Sequence, residues 1–160
     1  MDYLNSKATL EAYSSDSSIY TVAPKLVRLV NSTGDIVNTL QFAGQNGMTV
    51  TPRGGGTGVV GGALGAGIIL DFSNFKKIME VDTDNRTVVT QVGIIYDELN
   101  LFLRKSGLYF PPDPSSGDSC QIGGMLAGNS SGPSSLKYGL TSDFVEELSV
   151  IKPSGQQVIA

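Results

Sequence analysis

The chain has 160 residues, of which 40% are hydrophobic, enough for one domain with a buried core. A net charge of −4 and the lack of any basic run leave a nucleic-acid role without support. The single cysteine excludes an internal disulfide, and the absence of histidine excludes histidine-based triads, His–metal sites and a histidyl-linked cofactor. At the N-terminus, Met1-Asp2-Tyr3-Leu4 lacks a charged start followed by an apolar region, so no secretory signal is read. No apolar run reaches the roughly 18 residues of a transmembrane segment, and the expected location is cytoplasmic. A short helix is expected within Leu4 to Tyr13, and Val22 to Val30 is an apolar stretch broken by Pro24. Ser32 and Asp35 form a capping box, with aspartate in place of the usual glutamate, ahead of Ile36, Leu40 and Ala43 at helical spacing. Gly44 and Gly47 are stop signals for that helix. Met48 to Val50 reads as a short strand entering a glycine-rich segment, and Ile68 to Asp71 as the next strand.

Ile78 to Asp82 and Thr87 to Val92 read as a hairpin around Thr83-Asp84-Asn85-Arg86. A helix follows from Tyr96 to Ser106. Its Tyr96, Leu99 and Leu103 share a face, its acids Asp97 and Glu98 come early, and its bases Arg104 and Lys105 come late. Gly107 ends it. Leu108 to Phe110 is expected to be a strand delivering a proline-rich loop, and Ile122 to Gly128 a short helix. Leu148 to Lys152 and Gln157 to Ile159 read as a closing hairpin around Pro153-Ser154-Gly155. Helices alternate with strands while neighbouring strands also form hairpins, which is an α+β fold and not a regular parallel sheet.

The chemistry concentrates in Pro52-Arg53-Gly54-Gly55-Gly56-Thr57-Gly58, followed by Gly61-Gly62-Ala63. Such a run packs no core. It lets backbone N–H groups approach an anion closely, and a diphosphate is the natural guest. Gly56-x-Gly58-x-x-Gly61 satisfies the dinucleotide-binding fingerprint only formally, because Gly65 and Gly67 leave no room for the helix that the fingerprint opens. The Gly-Lys-Ser/Thr of a P-loop is absent. Gly128-Asn129-Ser130-Ser131-Gly132 formally matches a nucleophile elbow, yet no histidine exists to serve as base, so a hydrolase is set aside. Pro111-Pro112-Asp113-Pro114 is a stiff loop that leaves Ser115 and Ser116 as its polar groups. Cys120 reads as a small semi-buried residue, not a redox thiol. The acids Asp82, Asp84, Asp97, Glu98, Glu146 and Glu147 are scattered, so no metal site is expected.

Taken in order, the glycine loop, Pro111-Pro112-Asp113-Pro114-Ser115-Ser116, Ile122-Gly123-Gly124, Asn129-Ser130-Ser131-Gly132 and Tyr138-Gly139 resemble the FAD-binding domain of the FAD-linked oxidases. This is the PCMH/VAO-type fold found in the D-lactate dehydrogenase and glycolate oxidase subunit family. The resemblance implies non-covalent FAD, its diphosphate taking the N–H groups of Gly54, Gly55, Gly56, Thr57 and Gly58. Thr57 adds a hydroxyl, and Gly61, Gly62 and Ala63 continue the surface. Arg53 either pairs with a phosphate or braces the loop. It further implies cofactor contacts from Pro112, Asp113, Ser115, Ser116, Ile122, Gly123, Gly124, Ala127, Asn129, Ser130 and Gly132. Tyr138 gives packing plus one hydrogen bond, and Val150 and Ile151 offer backbone atoms. Asp143 reads as an N-cap or turn acceptor, a structural role and not a flavin contact.

The implied architecture is two small subdomains, roughly residues 20–92 and the remainder, with FAD between them. The resemblance covers the N-terminal part of such enzymes. Further strands and a cap domain carrying the substrate groups are expected outside these residues, and no catalytic base is assigned. Three readings follow. The first is the FAD-binding portion of a dehydrogenase of small 2-hydroxy acids. The second is a flavin reductase of the UDP-N-acetylenolpyruvylglucosamine reductase type. The third is a non-catalytic FAD-binding subunit that takes its missing strands from a partner chain, through an exposed edge at Gln157-Val158-Ile159. The proline loop and the Tyr-Gly pair favour the first.

Overall fold

The computed structural model describes residues 2–160. The chain divides into two compact units, one made of the chain up to Asn74 together with Glu146–Ala160, the other of Phe75–Val145. The first unit therefore reclaims the end of the chain, and the hairpin expected at residues 78–92 lies in the second.

In the first unit, Ser6 caps helix α1, Lys7–Ala12, its Oγ accepting from the Thr9 N–H at 3.2 Å. Leu4 is not helical, because it forms a bridge with Val27: its N–H donates to the Val27 carbonyl at 2.8 Å and its carbonyl accepts from the Val27 N–H at 2.9 Å. Strands β1 (Leu26–Leu29), β2 (Val50–Arg53) and β3 (Ile68–Asp71) form a parallel sheet in the order β1-β3-β2. All four residues of the central β3 are buried, as a near-continuous apolar run in a parallel sheet requires. Strand β2 lies later than the expected Met48 to Val50, since β3 pairs it from Val50 through Pro52 to Arg53. Pro52 is tolerated because β2 is an edge strand, where a missing donor disrupts no second ladder.

Helix α2, Thr33–Gln45, starts on the expected capping box. Ser32 Oγ accepts from the Asp35 N–H at 3.3 Å, and Asp35 Oδ2 accepts from the Ser32 N–H at 3.0 Å. Asp35 is also ion-paired to Arg28. The helix passes through Gly44 and is capped at Asn46. Strands β6 (Ser149–Ile151) and β7 (Gln157–Ile159) make the closing antiparallel hairpin. Its Gly155 lies so close to α2 that a Cβ there would stand 3.2 Å from Val37 Cγ1.

In the second unit, β4 (Ile78–Asp82) and β5 (Thr87–Thr90) form the expected hairpin. The Asp82 carboxylate accepts from the N–H groups of Asp84 at 2.9 Å and Asn85 at 3.0 Å, which closes the turn. Helix α3 spans Tyr96–Leu103 and tightens into a 3-10 turn, Arg104–Ser106, before Gly107 reverses the chain at φ 71°. Short helices α4 (Ile122–Gly128) and α5 (Ser135–Tyr138) follow. The core joins Ile94, Tyr96, Leu99, Leu103, Cys120, Ile122 and Met125.

Leu108 to Phe110 forms no strand. The backbone groups that a neighbouring strand would take are held by α3 side chains instead. Phe110 N–H donates to Asn100 Oδ1 at 2.7 Å, and the Phe110 carbonyl accepts from Asn100 Nδ2 at 3.2 Å and the Tyr96 hydroxyl at 3.1 Å. Asn100 is buried, and Asn100→Ala takes the acceptor from the Phe110 N–H, while the Phe110 carbonyl keeps the Tyr96 hydroxyl. A loss of about 1–3 kcal/mol is expected in urea unfolding.

A second expectation concerns acid. Burial alone pushes the Asp35 carboxyl up, but hydrogen bonds from Arg28, Asn31 and Ser32, with the Arg28 charge, outweigh it and hold the group below its ordinary value. A depressed folded-state pKa contributes stability that is present above the unfolded value of about 3.9 and is lost as pH falls through the folded value. Asp35→Ala is therefore expected to lower the urea midpoint at pH ~7, by about 1 kcal/mol in cap energy, and much less at pH ~2. Equal losses at both pH values would contradict this account.

Candidate functional site

Strand β2 ends at Arg53 and β3 begins at Ile68, and the glycine-rich segment makes the parallel connection without a helix. The dinucleotide-binding fingerprint is thus formal only. Among the described residues, no acceptor takes the backbone N–H groups of Gly54, Gly55, Gly56, Thr57 or Gly58. A half-exposed run of unpaired donors is the chemistry an oxyanion completes. Gly56 has φ 68°, and a Cβ there would stand 2.7 Å from Arg53 Nη2, so both its backbone angle and its space call for glycine.

Arg53 is a brace. Its Nη2 donates to the Ser15 carbonyl at 2.9 Å and its Nη1 to the Tyr13 carbonyl at 3.4 Å. Its guanidinium carbon lies 5.2 Å from the centre of the Tyr13 ring. The Tyr13 hydroxyl in turn donates to Asp71 Oδ2 at 2.5 Å, and Asp71 Oδ1 accepts from the Ser73 N–H at 2.7 Å. Burial first, then the Asp71 carboxylate, pushes the Tyr13 phenol far above its ordinary value, so it stays a donor. In the same unit, Val150 and Ile151 occupy β6, Val150 partly exposed.

The second unit gathers the other expected residues. A Cβ on Gly132 would overlap the Asp113 carbonyl and Pro114 N, so the 129–132 segment lies directly on the proline loop. Asn129 turns the chain at φ 44°, and its Oδ1 accepts from the Ser142 N–H at 2.9 Å. The Ser130 carbonyl accepts from Thr141 Oγ1 at 2.7 Å, and the Gly132 N–H donates to Ser135 Oγ at 3.0 Å. Gly123 sits where a Cβ would stand 2.9 Å from Val92 Cβ, which lets α4 start against that residue. Gly124 and Ala127 lie on the exposed side of α4.

Pro112 is fully buried and Ile122 belongs to the core, so neither presents appreciable surface to a ligand. Asp113 and Ser115 are exposed. Asp113 lines a cleft of about 500 Å³ with Tyr96, Asp97, Asn100, Arg104 and Tyr109. The Ser116 carbonyl accepts from the Cys120 N–H at 2.7 Å, and burial pushes the Cys120 thiol up in pKa. Lys137 Nζ donates to the Tyr138 oxygen at 2.8 Å, and this hydrogen bond, with one from Tyr109, holds the Tyr138 phenol below its ordinary value. Asp143 is a turn acceptor, its Oδ2 taking the Leu140 N–H at 2.8 Å.

Sequence reasoning missed Tyr13, Ser15 and Asp71, which fix Arg53 from afar. The one available signal was the polar cluster Ser14-Ser15-Asp16-Ser17-Ser18, too short and polar for core or regular structure. Among the described residues, no group of three or more His, Cys, Asp or Glu is gathered, and no helix is long and apolar enough to cross a membrane.

A family model described as "FAD binding domain" matches residues 24–160. The chain is 37% identical to the D-2-hydroxyglutarate dehydrogenase of Pantoea ananatis over 96% of its own length and 16% of that protein's. It is 34% identical to the D-lactate dehydrogenase of Anaerostipes hadrus, over 89% of the chain and 30% of the relative. The chain thus spans a third or less of the length of these relatives. Among solved structures, alkyldihydroxyacetonephosphate synthase superposes with a TM-score of 0.86 at 27% identity, covering 98% of this chain and 31% of that one. The open donors of the glycine loop fall inside the matched residues, and the chain belongs to the FAD binding domain family, with FAD as its cofactor.

Proposed function

We propose that this chain is the FAD-binding portion of a flavin-dependent dehydrogenase of small 2-hydroxy acids. The observation that carries the reading is the run of unpaired N–H donors from Gly54 to Gly58, which fits a diphosphate. The two relatives are named for D-2-hydroxyglutarate and D-lactate, both 2-hydroxy acids, and this supports the substrate class. Bound FAD supplies the acceptor for a hydride equivalent from the substrate α-carbon. The residues of this chain bind and orient it. Gly54 to Gly58 donate to the diphosphate, Thr57 adds its hydroxyl, and Arg53 keeps the loop in shape.

Attachment is non-covalent. The chain has no histidine, and its one thiol, Cys120, is buried.

The visible absorption spectrum of the purified chain, taken before and after adding FAD and desalting, tests the cofactor reading. Flavin bands that survive desalting and are released on denaturation are the expected result. A folded chain that stays colourless would remove it. The loop itself is tested by Gly56→Val, which drives a branched side chain into the Arg53 guanidinium at a left-handed backbone position. FAD retention is expected to be lost with far-UV circular dichroism nearly unchanged. Retention as tight as in the unaltered chain would place the diphosphate elsewhere.

A further inference from the structure

The segment between α1 and β1 holds the glycine loop from outside the family match, which starts at residue 24. It folds back on itself: Val22 N–H donates to the Ser14 carbonyl at 2.8 Å, and Ser15 bridges Thr21. Asp16 Oδ1 accepts from the Ser18 N–H at 2.8 Å, which fixes the tip. That tip meets the glycine loop on both of its halves. On the first, the Ser17 N–H donates to the Gly56 carbonyl at 3.0 Å, and Arg53 reaches back to the Tyr13 and Ser15 carbonyls. On the second, a Cβ on Gly61 would stand 3.0 Å from the Tyr20 ring and 3.6 Å from the Oγ of Ser18, whose N–H donates to Asp16.

We propose that Asp16 and Arg53 are positioning residues for the FAD diphosphate, holding the two halves of the glycine loop open from the segment Tyr13 to Tyr20. The proposal rests on the cofactor reading above. Its physical content is an opposition of signs. Asp16 is an anion beside a loop that receives an anion, so simple Coulomb repulsion makes its removal tighten FAD binding. A brace makes its removal weaken binding, because a loop whose Gly54 to Gly58 N–H groups have no partner then pays the ordering entropy at the moment of binding. Burial pushes the Asp16 carboxyl up, but hydrogen bonding from Ser18 and the Arg53 charge help to outweigh it and keep the group ionised at neutral pH.

The test uses the full chain with Asp16→Ala, Asp16→Asn and Arg53→Lys. Two readouts are combined: FAD dissociation constants by flavin fluorescence titration, and amide order parameters of Gly54 to Ala63 measured without FAD. Asp16→Ala is expected to raise the dissociation constant about tenfold, the scale of one lost charged hydrogen bond. Asp16→Asn, which keeps the acceptor geometry without the charge, recovers part of that loss. Arg53→Lys keeps the charge but loses the fork and is expected to weaken binding like Asp16→Ala. In the FAD-free chain, loop order parameters fall from about 0.85 toward 0.6 in both disruptive variants, while those of β3 stay put. Tighter or unchanged FAD binding in Asp16→Ala, or loop order parameters that do not move, overturns the proposal. An unaltered chain that takes up no FAD sinks the cofactor reading instead, and the order parameters still decide whether the loop is braced.

Discussion

The fork that Arg53 makes to the carbonyls of Tyr13 and Ser15 resolves a conflict built into the glycine loop. An anion site made of backbone needs N–H groups without partners, yet backbone without partners has nothing of its own to order it. The order is therefore imported. Arg53 is the last residue of β2 and sits in register with Asp71 at the end of β3, so the sheet fixes where the guanidinium starts. Tyr13 lies against that guanidinium and donates to Asp71, which closes the circuit between the lead-in segment and the sheet. The loop is then free to spend its donors on a ligand.

The second unit meets the same difficulty with a different device. Its proline loop gives up donors by composition, and what remains is held by side chains. Asn100 and Tyr96, one turn apart on α3, take both backbone groups of Phe110. Gly132 then brings the 129–132 segment onto Asp113 and Pro114 at a distance no other residue would permit.

What the sequence revealed was whatever it encodes locally. The Ser32–Asp35 box, the Asp82 turn, the Gly107 stop and the Ile68–Asp71 run each carry their signal within a few residues, and each stands as expected. Leu108 to Phe110 was misread as a strand because an apolar triplet looks the same whether a strand or an asparagine pairs its backbone. Strand β2 was placed too early because Pro52 and Arg53 read as loop until β3 is known to lie beside them. The division near residue 92 follows the order of elements along the chain, whereas the observed division after Asn74 follows contacts made by Glu146–Ala160 with residues far away in sequence. Within the glycine loop, the donors were legible from composition. The brace was not, since Tyr13 and Asp71 are separated by most of the first unit and share no periodicity.

Cys120 has a bearing on how the second unit opens. It is the chain's only thiol, it sits in the core beside Tyr96 and Ile122, and burial pushes its pKa up. Both its shielding and its protonation suppress attack on an alkylating reagent, and both end together when α3 and α4 part. The chain thus carries a chemical clock at the centre of one unit and none in the other, so that its alkylation in native buffer counts the openings of the second unit alone.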